Sequence, residues 1–392
     1  MKSVILSSAR TPIGSLGGTL SGLTAPQLGA VAIGAALERA GVDGSDVDEV
    51  IMGNVLTAGV GQSPARQAAI GAGIPDSVPT LTVGKVCGSG MKSIMLADQM
   101  IRCGDLDVAV AGGQESMSQA PYLVANARFG YKFGDGALVD SMSHDGLTDA
   151  YDQVAMGVAA DACAVSCNVP REAQDAFTVE SYTRAQSSIA DGRFATEIAP
   201  VTIKGRKGDT VVDTDEEPAR TKFEKIPALR PVFTKEGTVT AANASTINDG
   251  AAALVVASEA FASEKGLTPV AAIVATSSHA QKPMEFTTAP IAAIEGVLAK
   301  ADLSLDDIDL FEINEAFAVV SLAARDALGI DQEKLNVNGG SVALGHPIGA
   351  SGTRIVTTLL HAMEQRNARY GLAAICIGGG EATAMIVERA TA

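Results

Sequence analysis

Residues 33–55, IGAALERAGVDGSDVDEVIMGNV, fall on residues 294–316, IEGVLAKADLSLDDIDLFEINEA, without a gap when the sequence is shifted by 261 positions (33 to 294). Leu37 meets Leu298, Ala40 meets Ala301, Asp46 meets Asp307 and Asp48 meets Asp309. Arg39 and Lys300, Val42 and Leu303, and Val47 and Ile308 are conservative matches. Under the same shift Gly84 meets Gly345 and Gly88 meets Gly349. One inserted residue later, Ser89-Gly90 meets Ser351-Gly352. After four more residues of offset, Gly112-Gly113 and Glu115 meet Gly378-Gly379 and Glu381. Chance explains one such segment; three in the same order indicate a duplicated chain.

Within each half the recurrent unit is an apolar strand, a glycine turn and an amphipathic helix. Asp107–Gly113 (DVAVAGG) and Ala373–Gly380 (AAICIGGG) are short apolar runs ending in glycines, the pattern of buried strands in an α/β sheet. Leu28–Ala40 and Ile291–Ala301 place apolar residues near every third or fourth position and read as helices. The opening MKSVILSSARTPIG reads as a first strand, its apolar run being too short for a signal peptide. This βαβα order predicts a layered α/β fold. The halves span residues 1–118 with 248–269, and residues 270–392. Residues 119–247 differ in character: they hold four of the five tyrosines and a charged segment, Lys204–Lys235, with eight basic residues. That segment is either a solvated surface with intermixed acids or a local anchor for an anionic small molecule.

Composition narrows the function. The chain has 392 residues, 47% hydrophobic and 19% charged, with 41 glycines and a formal charge of −16. That is enough to bury a large core, and the acidic balance lacks the basic footprint of a nucleic-acid binder. No run of eighteen apolar residues marks a membrane span, and the ERATA ending is not an SKL-type address. Five cysteines in so long a chain do not make a disulfide framework, so a reduced, cytoplasmic setting is expected.

Cys87 lies in TLTVGKVCGSGM (80–91), an apolar run, a cysteine, Gly-Ser-Gly and then a helix. Glycines beside it permit a sharp strand-to-helix turn resembling a nucleophile elbow, and a thiol at a helix start is expected to be lowered toward the thiolate. His346 stands in NVNGGSVALGHPIGASGT (336–353), where Pro347 biases it toward an extended backbone. In the repeat, its turn is the counterpart of the Cys87 turn. Two halves packed about a pseudo-twofold would bring the two turns together. Cys376 reads as a core residue by periodicity, but the glycines after it can expose N–H groups as an oxyanion hole. Asn314, in FEINEAF, follows an apolar strand and reads as a turn or cap residue. Cys163 and Cys167 are spaced i, i+4 without partners for a tetrahedral metal set, so no metal is expected.

VCGSG around Cys87, NEAF at Asn314–Phe317, GHPIGASG at Gly345–Gly352 and CIGGG at Cys376–Gly380 together resemble the thiolase family. GQSPARQ (61–67), GGQESMS (112–118) and the NAS triplet at Asn243–Ser245 agree, and the match covers essentially the whole chain. The resemblance implies a duplicated, five-layered αβαβα core with residues 119–247 as an inserted loop domain over coenzyme A. It implies ping-pong Claisen condensation of two acetyl-CoA to acetoacetyl-CoA and CoA, with thiolysis as the reverse. Cys87 would be the acylated nucleophile, and His346 the base that deprotonates it and then binds the thioester oxygen. Asn314 would hold a water at that oxygen, and Cys376 would handle the α-proton. The N–H groups of Cys87 and Gly378 would form the second oxyanion site. Leu147, Met156, Phe233, Ser245, Ala316 and Phe317 would contact CoA, and Arg220 would lie near a phosphate. Coenzyme A thioesters are then substrates, with no separate cofactor, no nucleic acid and no membrane partner. The family implies a homo-oligomer, dimer or tetramer. A broader-range 3-ketoacyl-CoA thiolase is the alternative, and Ala155, where many acetoacetyl-specific relatives carry histidine, is the residue that raises it.

Overall fold

Ser3–Arg10, the apolar run that opens the chain, is a strand buried along its whole length. In the computed structural model, which describes residues 2–390, it is β1 of an N-terminal half. That half continues through β2 (Gly14–Ser15), α1 (Ala25–Ala40), β3 (Glu49–Gly53), α2 (Pro64–Gly71), β4 (Thr80–Val83), α3 (Ser89–Cys103) and β5 (Val108–Ser116). The intervening segment holds a hairpin of β6 (Tyr122–Val124) and β7 (Leu138–Asp140), then α4 (Met156–Ser166) and α5 (Arg171–Ala190). A second hairpin follows, β8 (Val201–Ile203) with β9 (Thr210–Val212). The chain returns to the first half with β10 (Asn248–Ser258) and α6 (Glu259–Glu264). The second half is β11 (Ala271–Ala280), α7 (Ala289–Ala301), β12 (Leu310–Ile313), α8 (Ala318–Leu328), α9 (Ser341–Leu344), α10 (Ser351–Arg366), β13 (Tyr370–Ile377) and β14 (Glu381–Arg389).

Local sequence explains the element ends. Thr24 caps α1 by accepting from Gln27 N–H while the Gln27 side chain accepts from Thr24 N–H, so the helix starts three residues before the periodic pattern. Gly41 and Gly104 stop α1 and α3 in the left-handed region, and Asp302 and Asn367 do the same for α7 and α10.

The duplication is exact in its irregularities. β1 bulges between Ile5 and Ser7 against β10, and β11 bulges between Ile273 and Ala275 against β14. Ile5 therefore corresponds to Ile273 and Val4 to Ala272. Val4 pairs with Ala272 itself, antiparallel, so the axis relating the halves passes between them and joins their sheets edge to edge. In both halves two strands run parallel (β3 with β5, β12 with β13) before the order turns antiparallel. The halves differ at one edge: β4 pairs along β3, while its counterpart is reduced to the bridge Phe311–Leu335 and the turn α9.

Three large apolar cores fill the four interfaces of five layers, the central one lying on both sides of the middle helices. α1 and α2 cover one face of the first sheet, α3 and α10 lie between the two halves, and α7 and α8 cover the second, with α4 and α5 packed beyond. The N-termini of α3 and α10 cross at the centre. A Cβ on Gly90 would collide with Thr353, and one on its counterpart Gly352 with Met91, so this close crossing requires glycine on both helices.

Candidate active site

Cys87 sits where β4 gives way to α3, in a single 3₁₀ turn, Val86–Gly88. Val86 has φ +44°, a left-handed conformation that a β-branched side chain avoids. Two hydrogen bonds hold it there: Lys85 N–H donates to Ser89 Oγ (2.8 Å), and Ser89 Oγ donates to Val86 O (2.7 Å). The turn places Cys87 on the wall of a cavity of about 290 Å³, opposite loops of the second half.

His346 lines the same cavity, so the structure brings together the two turns that the repeat relates. Its N–H donates to Asn248 Oδ1 (3.0 Å), and Asn248 Nδ2 donates to Gly14 O (3.0 Å). Ser351 Oγ donates to Pro347 O (2.9 Å), so its lone pairs accept from His346 Nδ1 at 2.6 Å. This assigns the proton to Nδ1 and leaves Nε2, buried and without a protein partner, as a bare acceptor. Burial pushes the imidazole down to about 3, with Arg354 adding to the shift, so the ring is neutral near pH 7.

The thiol itself corrects an expectation. Cys87 is not lowered by the helix start; burial pushes it up to about 11. The N–H groups of Gly378 and of Cys87 itself point at the sulfur and pull the other way, and Glu115 adds to the rise. A helix start contributes about 0.3–1 kcal/mol, less than the cost of desolvating a thiolate. Cys87 is therefore a thiol that needs a base, and His346 Nε2 is a base without a proton.

Cys376 and Asn314 stand behind the cavity wall rather than on it. Cys376 is the penultimate residue of β13, buried, and its thiol is driven well above the usual range by burial and then by the proximity of Cys87. Gly378, two residues on, does line the cavity. Asn314 follows β12, its N–H donating to Ala374 O (2.9 Å). Its Oδ1 accepts from Ser341 Oγ (2.7 Å), while its Nδ2 is buried without a partner.

Leu147, Met156, Phe233, Ser245, Ala316 and Phe317 all line the cavity, as does Ala155. The NAS segment runs beside NEAF, with Ser245 N–H donating to Ala316 O (3.0 Å) and Ala244 bridging Phe317. Phe233 and Phe317 meet edge to face, centroids 6.1 Å apart. Arg220 lies outside the cavity. It is exposed and lines an adjoining groove that shares Phe233 and Ser245 with it, and Lys222 and Lys225 continue along the next groove. The basic segment thus divides: Lys204, Arg206 and Lys207 belong to the β8–β9 hairpin, whereas Arg220, Lys222 and Lys225 track away from the cavity mouth.

Three contributors escaped the sequence reading. Asn248 and Ser351 hold His346 in place, and Glu115, within the quoted GGQESMS, accepts from Asn54 Nδ2 and from the N–H groups of Val55, Leu56 and Gly349. Only the repeat, which pairs Glu115 with Glu381, signalled the last. Cys163 on α4 packs against Cys167, the residue that caps its end, with sulfurs 3.8 Å apart.

Two family models match the chain: Thiolase, N-terminal domain, over residues 3–260 and Thiolase, C-terminal domain, over residues 267–389. The chain is 52% identical over 387 residues to a probable acetyl-CoA acetyltransferase of Dictyostelium discoideum, covering 98% of this chain and 94% of that one. It is 52% identical over 388 residues to the acetyl-CoA acetyltransferase of Cupriavidus necator, covering 98% and 99%. A third, the acetyl-CoA acetyltransferase of Saccharomyces cerevisiae, is 52% identical over 391 residues, covering 98% of each.

Proposed function

Since the chain belongs to the thiolase family, we propose that it is an acetyl-CoA C-acetyltransferase, condensing two acetyl-CoA to acetoacetyl-CoA and CoA and catalysing the reverse thiolysis. The observation that carries this reading is the meeting of a protonated thiol, Cys87, with an unprotonated imidazole nitrogen, His346 Nε2, at one cavity between the halves. The three relatives with this name favour acetoacetyl chemistry over the broader-range alternative.

The protons balance through Cys87, His346 and Cys376. His346 Nε2 takes the Cys87 proton as the sulfur attacks the acetyl carbonyl, and the oxyanion lies on the N–H groups of Cys87 and Gly378. The bond to CoA breaks, and Cys376 gives its proton to the departing thiolate. The site then holds acetyl-Cys87, an imidazolium and the Cys376 thiolate. That thiolate takes the α-proton of the second acetyl-CoA, while the enolate oxygen is held by His346 Nε2–H and by Asn314 Nδ2, directly or through a water. Carbon–carbon bond formation expels Cys87, which recovers its proton from His346.

The cavity, lined by Leu147, Met156, Phe233 and Phe317, suits the apolar parts of a pantetheine arm. Arg220, Lys222 and Lys225 suit the phosphates beyond it. The assembly is a homo-oligomer on this reading: the β6–β7 hairpin exposes Tyr122, Val124, Phe129, Phe133 and Leu138, and the edge strand β4 exposes Leu81. Thiolysis of acetoacetyl-CoA by CoA, followed as loss of thioester–enolate absorbance, tests the function. Turnover by the wild type that vanishes in Cys87→Ala is the expected result; an inert wild type would overturn it.

A further inference from the structure

In direct contact, Asn314 can serve the reacting oxygen in only one of its two amide orientations. With Nδ2 toward the site it donates; flipped, it presents a carbonyl oxygen to a developing negative charge and repels it. Rotation about the last side-chain bond interconverts the two at no steric cost, so something must choose between them.

The choice is made behind the cavity wall. Arg354, buried on α10, donates from Nη2 to Ser341 Oγ at 2.9 Å, and Ser341 Oγ donates to Asn314 Oδ1 at 2.7 Å. A guanidinium has donors only, so Ser341 accepts from Arg354 and its single proton is free to point onward. That proton needs an acceptor, and Asn314 Oδ1 supplies it. A flipped amide would face Ser341 with Nδ2, leaving the hydroxyl proton without an acceptor in a site closed to solvent. All three residues are buried, and Asn314 Nδ2, at the site end of the chain, has no protein partner; at the other end Arg354 Nε and Nη1 make no hydrogen bond either. Glu312 stands 3.7 Å from Arg354 Nη1, a counter-charge for the guanidinium. The positive charge also polarises the chain toward Asn314, strengthening each link.

We propose that Arg354 and Ser341 are positioning residues that lock the Asn314 amide with its Nδ2 donor toward the enolate oxygen. Neither touches substrate. The proposal rests on the role of Asn314 given above, and it assigns the two residues to the carbon–carbon half of the reaction. Acylation of Cys87 uses the other oxyanion site and does not depend on them.

The test compares Ser341→Ala, Ser341→Thr, Asn314→Ala and the Ser341→Ala/Asn314→Ala double variant. Each is assayed for acylation of Cys87 by acetyl-CoA and for condensation and thiolysis. Ser341→Ala is expected to lower kcat of condensation and thiolysis roughly 10- to 100-fold, the effect of losing a buried charge-assisted hydrogen bond. KM for CoA and the acylation rate should stay near wild type. Ser341→Thr, which keeps the hydroxyl, should restore kcat, and Ser341→Ala should add nothing in the Asn314→Ala background. If Ser341→Ala does not accumulate folded, Ser341→Cys replaces it, being of similar size with a weak donor. Equal slowing of both half-reactions, or a wild-type kcat for Ser341→Ala beside an impaired Asn314→Ala, would overturn the proposal. Wild-type kcat for Asn314→Ala would overturn the Asn314 role, and the proposal with it.

Discussion

Glu115 and Glu381, equivalent residues of the repeat, each reach across to the turn that carries the other half's reactive segment. Glu115 accepts from Gly349 N–H at 2.9 Å, in the His346 turn, and Glu381 accepts from Lys85 Nζ, two residues before Cys87. Lys85 is itself the repeat counterpart of His346. The repeated glutamates thus brace either side of the site through different donors, half-exposed against Lys85 on one side and fully buried on the other.

The buried brace makes stability depend on pH. Burial pushes the Glu115 carboxyl up to about 7 against four hydrogen bonds that favour its charge. A carboxyl raised on folding binds more protons in the native state between about pH 4.5 and 7, so its contribution falls as pH rises through that window. The effect is on the order of 3 kcal/mol. The thermal midpoint of the wild type should therefore drop more between pH 5 and pH 7.5 than that of Glu115→Gln. Parallel curves for the two proteins would contradict this.

Cys87 and His346 predict a broad plateau for acylation. The thiol form of Cys87 persists up to about 11 and the neutral imidazole down to about 3, so the reactive pair is constant from pH 5 to 9. Stopped-flow release of CoA across that range should show no bell. An inflection near 7 that disappears in Glu115→Gln traces to Glu115; one that remains would mean a thiolate–imidazolium pair.

His346→Ala should slow both half-reactions roughly 10²–10⁴-fold through loss of the base. Cys376→Ser should slow acylation of Cys87 only modestly, because a departing thiolate needs little help from an acid, yet suppress condensation and thiolysis, where the α-proton requires a positioned base. Single-turnover assays separate the two. Acylation blocked in Cys376→Ser as strongly as turnover would contradict the division of labour.

Much of this architecture was legible in the sequence because the repeat is carried by residues with backbone duties. Gly90 and Gly352 mark the helix crossing, and Gly84 and Gly345 mark the paired turns. The missing partner of β4 was not legible, since glycines survive in the second half where the strand itself has shrunk to the Phe311–Leu335 bridge. Residues acting at long sequence range were also hidden: Asn248 meets His346 across 98 positions, and Glu115 meets Gly349 across 234. The Cys87 thiol was misjudged because local sequence shows the helix start but not the burial that outweighs it.

Ala155 lines the cavity beside Met156, so its size bears on acyl length. Ala155→His should reduce kcat/KM for a six-carbon 3-ketoacyl-CoA more than for acetoacetyl-CoA, by about fourfold per methylene at about 0.8 kcal/mol each. Equal effects on both chain lengths would show that position 155 meets only the CoA arm.

The central claim is that Cys87 alone carries the acyl group. Brief exposure to acetyl-CoA, acid quench and peptide mass spectrometry test it most directly. One acetyl group on the peptide containing Cys87, retained in Cys376→Ser and absent in Cys87→Ala, is the predicted result. An acetyl group on the Cys376 peptide, or none on Cys87, would contradict the account.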